Sequence, residues 1–192
     1  MRAFPIALAL SFAISIANAG GGTPGPTPVR LTITPQLTYE TAVHEAGHVL
    51  TALELPCVHP IAVAVRGDMG LTRLNFERNN PDCLKNMLVV GAAGLAAERL
   101  ILRQSRTGWE LDRANAASIA GELTAPGCQV NWNVYDDQCM DEGIAMRLDA
   151  AMDQAYSILS LHQEELLRIA DDIYAAGQLE LGDPETESAN CD

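Results

Sequence analysis

The sequence predicts a mainly α-helical domain with one small β-hairpin, and three observations lead there. Apolar residues fall at helical spacing through Tyr39, Ala42, Val43, Ala46, Val49, Leu50 and Leu53. A second stretch, "CLKNMLVVGAAGLAAERLIL", is apolar nearly all round, the pattern of a buried central helix. Between them "HPIAVAVRGDMGLTRLNF" reads as two short strands around a Gly-Asp-Met-Gly turn.

The chain opens on "MRAFPIALALSFAISIANAG", one arginine followed by an apolar run that ends in Ala17-Asn18-Ala19. That pattern predicts a secretory signal peptide over 1–19, cut after Ala19. The other reading is an uncleaved membrane anchor, but the run of about 15 apolar residues is short for a bilayer. Export places the protein in a periplasm or outside the cell. Residues 20–29, "GGGTPGPTPV", form a Gly/Pro linker that cannot pack a core. A single domain is expected over 30–183, followed by an acidic, flexible tail at 184–192; the roughly 170 exported residues suffice for one core.

Within the domain, the first helix is expected from Thr38 to Glu54. Thr38 supplies a cap, Glu40 suits the first turn, and Pro56 stands just past the end. The second should span about Asp82 to Gln104, with Gly91 and Gly94 allowing another helix to approach closely. A third starts near Trp109 and stops before Ala125-Pro126-Gly127. The stretch from Asp141 to Leu179 forms one long amphipathic helix or two in tandem. Ile144, Leu148, Met152, Ala155, Ile158 and Leu159 mark its stripe, and Leu166, Ile169, Ile173 and Tyr174 continue it.

The net charge is −13, and losing Arg2 with the signal makes it −14. Such acidity argues against nucleic-acid or anionic-membrane partners, which need basic patches. A membrane contact is expected only if the signal segment stays uncleaved, and the oligomeric state is left open. There is no GxxxxGK[ST] phosphate loop, so nothing points to ATP. The five cysteines all fall in the exported part, where disulfides are favoured. Spacing suggests Cys128 with Cys139 first and Cys57 with Cys83 second, leaving Cys191 over.

The chemistry concentrates in "TAVHEAGHVL" at 41–50, which holds two of the four histidines. Residues i and i+4 share a helix face, so His44 and His48 can reach one ion. Zinc takes imidazole nitrogen well, and a catalytic site wants three protein ligands with a fourth position for water. Glu45 is then placed to take a proton from the zinc-bound water and return it to a leaving amine. This is the H-E-x-x-H arrangement of zinc peptidases. Glu98, a carboxylate on so apolar a helix, is costly unless paired. It is open between orienting a ligating histidine, pairing with Arg99 or Arg103, and reaching water. His59 and His162 fall outside any ligand pattern and are read as structural or surface residues.

"HEAGH" is the form of the motif that resembles the FtsH-type (M41) zinc peptidases, and the likeness continues in the family's order. "MGLTRL" resembles its strand after the motif, and "GAAGLAAERLI" its "GGRAAEELI" helix. "RTGWELDRANAASIA" resembles "TTGASNDLERAT..IA", and "AYSILSLHQEELLRIADDIYAAGQLELGD" the terminal helix. The resemblance covers about residues 38–183 and implies a zincin-like helical peptidase domain holding Zn2+. It leaves out the family's ATPase module.

The third ligand follows from the resemblance. An ungapped match over Thr107-Gly108-Trp109-Glu110-Leu111-Asp112 implies Asp112, whereas a shifted register with a two-residue deletion selects Glu110. The expected activity is a zinc metalloendopeptidase: Glu45 activates a zinc-bound water to hydrolyse unfolded or flexible polypeptides, without ATP hydrolysis on the same chain. The alternative is a catalytically silent zinc-binding adaptor, against which the intact Glu45 counts. The strand at 61–65, "IAVAV", is either an edge that receives substrate backbone or an ordinary buried hairpin strand.

Overall fold

The computed structural model describes residues 38–103, 110–124 and 142–182. The predicted signal peptide, linker and tail, together with Cys128, Cys139 and Cys191, lie outside the described residues. Within them, the protein is mainly helical with a small antiparallel sheet, as the sequence predicts. No described helix is long and apolar enough to cross a membrane.

Helix α1 (Tyr39–Glu54) begins where Thr38 Oγ1 accepts the Thr41 N–H at 3.4 Å. Strands β1 (Val58–Arg66) and β2 (Met69–Phe76) follow, joined by the two-residue turn Gly67-Asp68. Gly67 takes φ 66°, the positive value that tight hairpin turns demand. Its carbonyl accepts the Thr38 N–H at 3.3 Å, so the hairpin turn is tied to the start of α1.

Helix α2 (Pro81–Ala97) starts one residue earlier than predicted. Asn80 Oδ1 caps it by accepting the Asp82 and Cys83 N–H groups, and Pro81, which has no N–H to lose, opens the first turn. The helix continues as one π-helical turn, Glu98–Leu102, and stops at Arg103 in the left-handed region. Helix α3 covers Glu110–Thr124.

The terminal stretch is two helices, α4 (Glu142–Leu161) and α5 (Gln163–Ala176), broken at His162. Their buried stripe follows the predicted one through Ile144, Ala155, Leu159, Leu166, Ile169 and Ile173. Tyr174 departs from it: one residue on from Ile173 it turns about 100° round the helix and stands 41% exposed, edge-on to Tyr39 at 5.5 Å.

One element was not anticipated. The sequence pattern runs the last helix to Leu179, but Gly177 caps it in the left-handed conformation after Ala176. The chain then forms β3 (Gln178–Glu180), antiparallel to β1 at Ala62–Ala64. Sheet order is β2-β1-β3, so β1 is central and β2 is an edge strand. Of the two readings open for residues 61–65, a substrate-receiving edge and a hairpin strand, the structure favours the hairpin strand, because β3 and β2 take both sides of β1.

Helix α1 is the hub, packed between α2 and α5, while α2 also packs against α3 and α4. The two helices α1 and α2 approach closely at Gly47, where a Cβ would lie 2.5 Å from the Ala93 carbonyl oxygen. Gly91 admits α3 as predicted, its position 3.4 Å from Ala116 Cβ. Cys57 and Cys83, the second-ranked pair, come close, with Cα atoms 5.6 Å apart and sulfurs at 2.07 Å, one just before β1 and the other in α2.

Candidate metal centre

Helical periodicity brings His44 and His48 to one face of α1, and burial makes their environment decisive: they are 8% and 6% exposed. His48 Nδ1–H donates to the Val90 carbonyl oxygen at 2.7 Å. A carbonyl only accepts, so the proton of neutral His48 sits on Nδ1 and Nε2 presents a lone pair. His44 is oriented in the same sense by Glu98, whose Oε1 accepts from Nδ1 at 2.7 Å. Of the three readings open for Glu98, the structure selects the histidine partner. Glu98 is buried at the junction of α2 with the π-helical turn, a feature that recurs at functional sites.

Both Nε2 atoms therefore converge, 3.1 Å apart, and the third member comes from a distant element. Asp112, in the first turn of α3, puts Oδ2 2.9 Å from His44 Nε2 and 3.6 Å from His48 Nε2. His44, His48 and Asp112 thus meet as a possible metal-binding group, their ligand atoms within 4.8 Å of one another. The side chain of Glu110, the competing ligand, lies outside the described residues. His59 is exposed on β1, and His162 sits 3.6 Å from Glu54 Oε2, both away from the cluster.

The electrostatics are those of a cation site. Burial pushes His44 towards neutrality, but its hydrogen bonds with Asp112 and Glu98 and the charge of Glu45 outweigh it, and its pKa is raised from 6.5 to about 10. Burial likewise favours a protonated Asp112, yet the hydrogen bond from His44 Nε2–H at 2.9 Å and the positive charge of that imidazolium hold the carboxyl well below the usual range. One proton on His44 Nε2 then satisfies three electron-rich atoms that face each other. A zinc ion does the same with more charge. Zinc bonds of about 2.0–2.2 Å in tetrahedral array separate their ligand atoms by about 3.3–3.5 Å, close to the 2.9, 3.1 and 3.6 Å found here. The residues fit zinc.

Two glycines make the room. A Cβ on Gly94 would collide with the His44 ring, and one on Gly70 with the Glu45 carboxylate. Glu45 itself is 5% exposed and accepts a hydrogen bond from Thr72 Oγ1 at 2.5 Å. Sequence reasoning missed Thr72, Gly70 and the Val90 carbonyl. The first two stand two apart in "MGLTRL", on one face of a strand beside the motif, which is the available signal. A main-chain carbonyl leaves none. The cluster opens into a cleft of about 660 Å³ lined by α1, β2 and α3, including Met69, Leu71 and Leu111.

No protein-family model matches the chain. Curated proteins do. It is 30% identical to the ATP-dependent zinc metalloprotease FtsH 1 of Sphaerobacter thermophilus, over 68% of this chain and 25% of that protein. Identity to FtsH 1 of Thermomicrobium roseum is 31% over the same shares, and to FtsH 1 of Rhodopirellula baltica 37% over 44% of this chain and 14% of that protein. The chain spans about a quarter of the length of the first two relatives. Over some two thirds of its length, then, the chain bears an FtsH-like relationship that points to the zinc metalloproteases.

Proposed function

We propose that this chain is a zinc endopeptidase in which His44, His48 and Asp112 hold the metal and Glu45 is the general base. The observation that carries the reading is the buried His44–His48–Asp112 cluster with Glu45 in the same cleft. When bound there, zinc acts as a Lewis acid that lowers the pKa of water to around 7 and polarises a peptide carbonyl. Glu45 takes the proton of the attacking water on its carboxylate and returns it to the departing amine. Glu98 and the Val90 carbonyl keep both imidazoles turned with Nε2 inward, so neither ring has to reorient when metal arrives.

Substrate binding follows from topology. Among the described residues β2 is an edge strand of the sheet, and its residues Met69–Thr72 line the cleft beside Glu45. An extended chain added to that edge would gain main-chain hydrogen bonds with little dependence on sequence. Folded proteins cannot supply such a segment, so the substrates are flexible or unfolded polypeptides. The 192 residues contain no phosphate loop, and cleavage is proposed to proceed without ATP hydrolysis on this chain. Export through the predicted signal peptide agrees with the close Cys57–Cys83 pair.

The test compares the mature protein with Glu45→Gln on an unfolded, dye-quenched protein substrate without ATP. Wild type is expected to cleave, and both chelator and Glu45→Gln to abolish cleavage. Equal activity in the two proteins would leave a zinc-binding module that does not cleave.

A further inference from the structure

We infer that Thr72 is a positioning residue for Glu45, holding the carboxylate on β2 in a single orientation. This rests on the peptidase reading above. Glu45 Oε2 accepts the Thr72 hydroxyl at 2.5 Å, across 27 residues of sequence. Such charge-assisted hydrogen bonds are the short, strong ones. Gly70 lies two residues back on the same strand face, and Glu45 Oε1 rests where a Cβ on Gly70 would stand. A hydroxyl on one oxygen and a bare backbone under the other define the carboxylate plane.

The strand is itself anchored at its turn, because the Gly67 carbonyl accepts from the Thr38 N–H and hydroxyl at 3.3 and 3.4 Å. Hairpin and helix are thus joined at Thr38–Gly67 and again at Glu45–Thr72, with the cleft between these ties and α3. A carboxylate with three torsions and no such bond would sample several rotamers. The Thr72 hydroxyl takes one lone pair of Oε2 and the contact with Gly70 fixes where Oε1 lies, so the carboxylate keeps a single orientation in the cleft.

The experiment pairs Thr72→Val, which keeps the branched shape and loses the donor, with Thr72→Ser, which keeps the donor. On the unfolded protein substrate, Thr72→Val should lower kcat about tenfold with KM within about twofold. Thr72→Ser should restore kcat to within about threefold of wild type. Zinc affinity, read by competition with a chromogenic chelator, should stay within about twofold in both, since neither touches a ligand. Crystals of the zinc-loaded proteins should show the Glu45 carboxylate on Thr72 in wild type and Thr72→Ser, and displaced in Thr72→Val. A carboxylate unmoved in Thr72→Val, or a Thr72→Ser protein as slow as Thr72→Val, overturns the inference. If wild type cleaves nothing, the peptidase reading falls while the crystals still decide the role of Thr72.

Discussion

Removing Glu98 should weaken zinc binding without breaking the fold, and the structure sets the scale. Glu98 Oε1 and His44 Nδ1 are 2.7 Å apart, and both residues are buried, 6% and 8% exposed. Glu98→Ala leaves the Nδ1–H without its acceptor and frees the ring to turn or to move its proton to Nε2, the atom the metal needs. Partners of this kind are worth about 10–100-fold in metal affinity, or about 1.4–2.7 kcal/mol. The loss should approach the upper figure here, because the low-dielectric surroundings strengthen the bond and offer Nδ1 little water as replacement. Glu98→Gln keeps an acceptor oxygen and loses only the charge, so its cost should lie near tenfold.

The assay is chelator competition on metal-free protein, with thermal unfolding recorded alongside. The metal-free variant should remain folded, since His48 keeps the Val90 carbonyl and Gly94 still accommodates the His44 ring. Zinc affinity of a folded Glu98→Ala protein within twofold of wild type would refute the argument that Glu98 governs the ring. So would Glu98→Gln binding more weakly than Glu98→Ala.

Other outcomes follow from the same geometry. Because His44 in the metal-free protein holds its proton up to a pKa of about 10, zinc must displace that proton across the neutral range. Affinity should therefore rise about tenfold per unit between pH 6 and 9, with close to one proton released in calorimetry run in two buffers. A flat profile would contradict it. Asp112→Ala should lower zinc occupancy more than Glu110→Ala by metal analysis, and the reverse order would shift the ligand to Glu110. Replacing Cys57 and Cys83 together by serine opens a cross-link spanning 26 residues. The chain-entropy relation gives a cost of about 3.5 kcal/mol, to be read by denaturant unfolding; no change would mean that the bond does not form.

Legibility in the sequence tracked how local each interaction is. His44, Glu45 and His48 follow from a single period of 3.6 residues, so one helix sufficed to bring them together in thought as in space. Thr38 as a cap and the α4–α5 stripe are equally local and read correctly, apart from Tyr174. Asp112 lies 68 residues from His44. Its place came from a resemblance to a known family, because no periodicity links two helices. Glu98 stood out as a costly carboxylate on an apolar helix, but the choice among its partners is tertiary. β3 escaped because three residues after a helix-stopping glycine carry too short an alternation to detect. With it went the identity of the edge strand: "IAVAV" has the better strand composition, yet being central or peripheral belongs to the sheet as a whole.

The glycines show why the remaining parts of the site were hidden. In a sequence a glycine signals a turn or a close approach, and Gly91 was read correctly in that sense. Gly94 stands three residues further on the same helix with the same expectation, but what fills its space is an imidazole from α1. Gly70 does the same for a carboxylate, from a strand. In each case the functional side chain is held where it is partly because another residue lacks one, and a missing Cβ does not announce what lies above it. The consequence is testable in the folded protein. Gly94→Ala should push the His44 ring off its position and lower zinc affinity, while Gly91→Ala, with 3.4 Å to its nearest neighbour, should be tolerated. Equal zinc affinity in the two variants would mean that the glycine under His44 is incidental to the site.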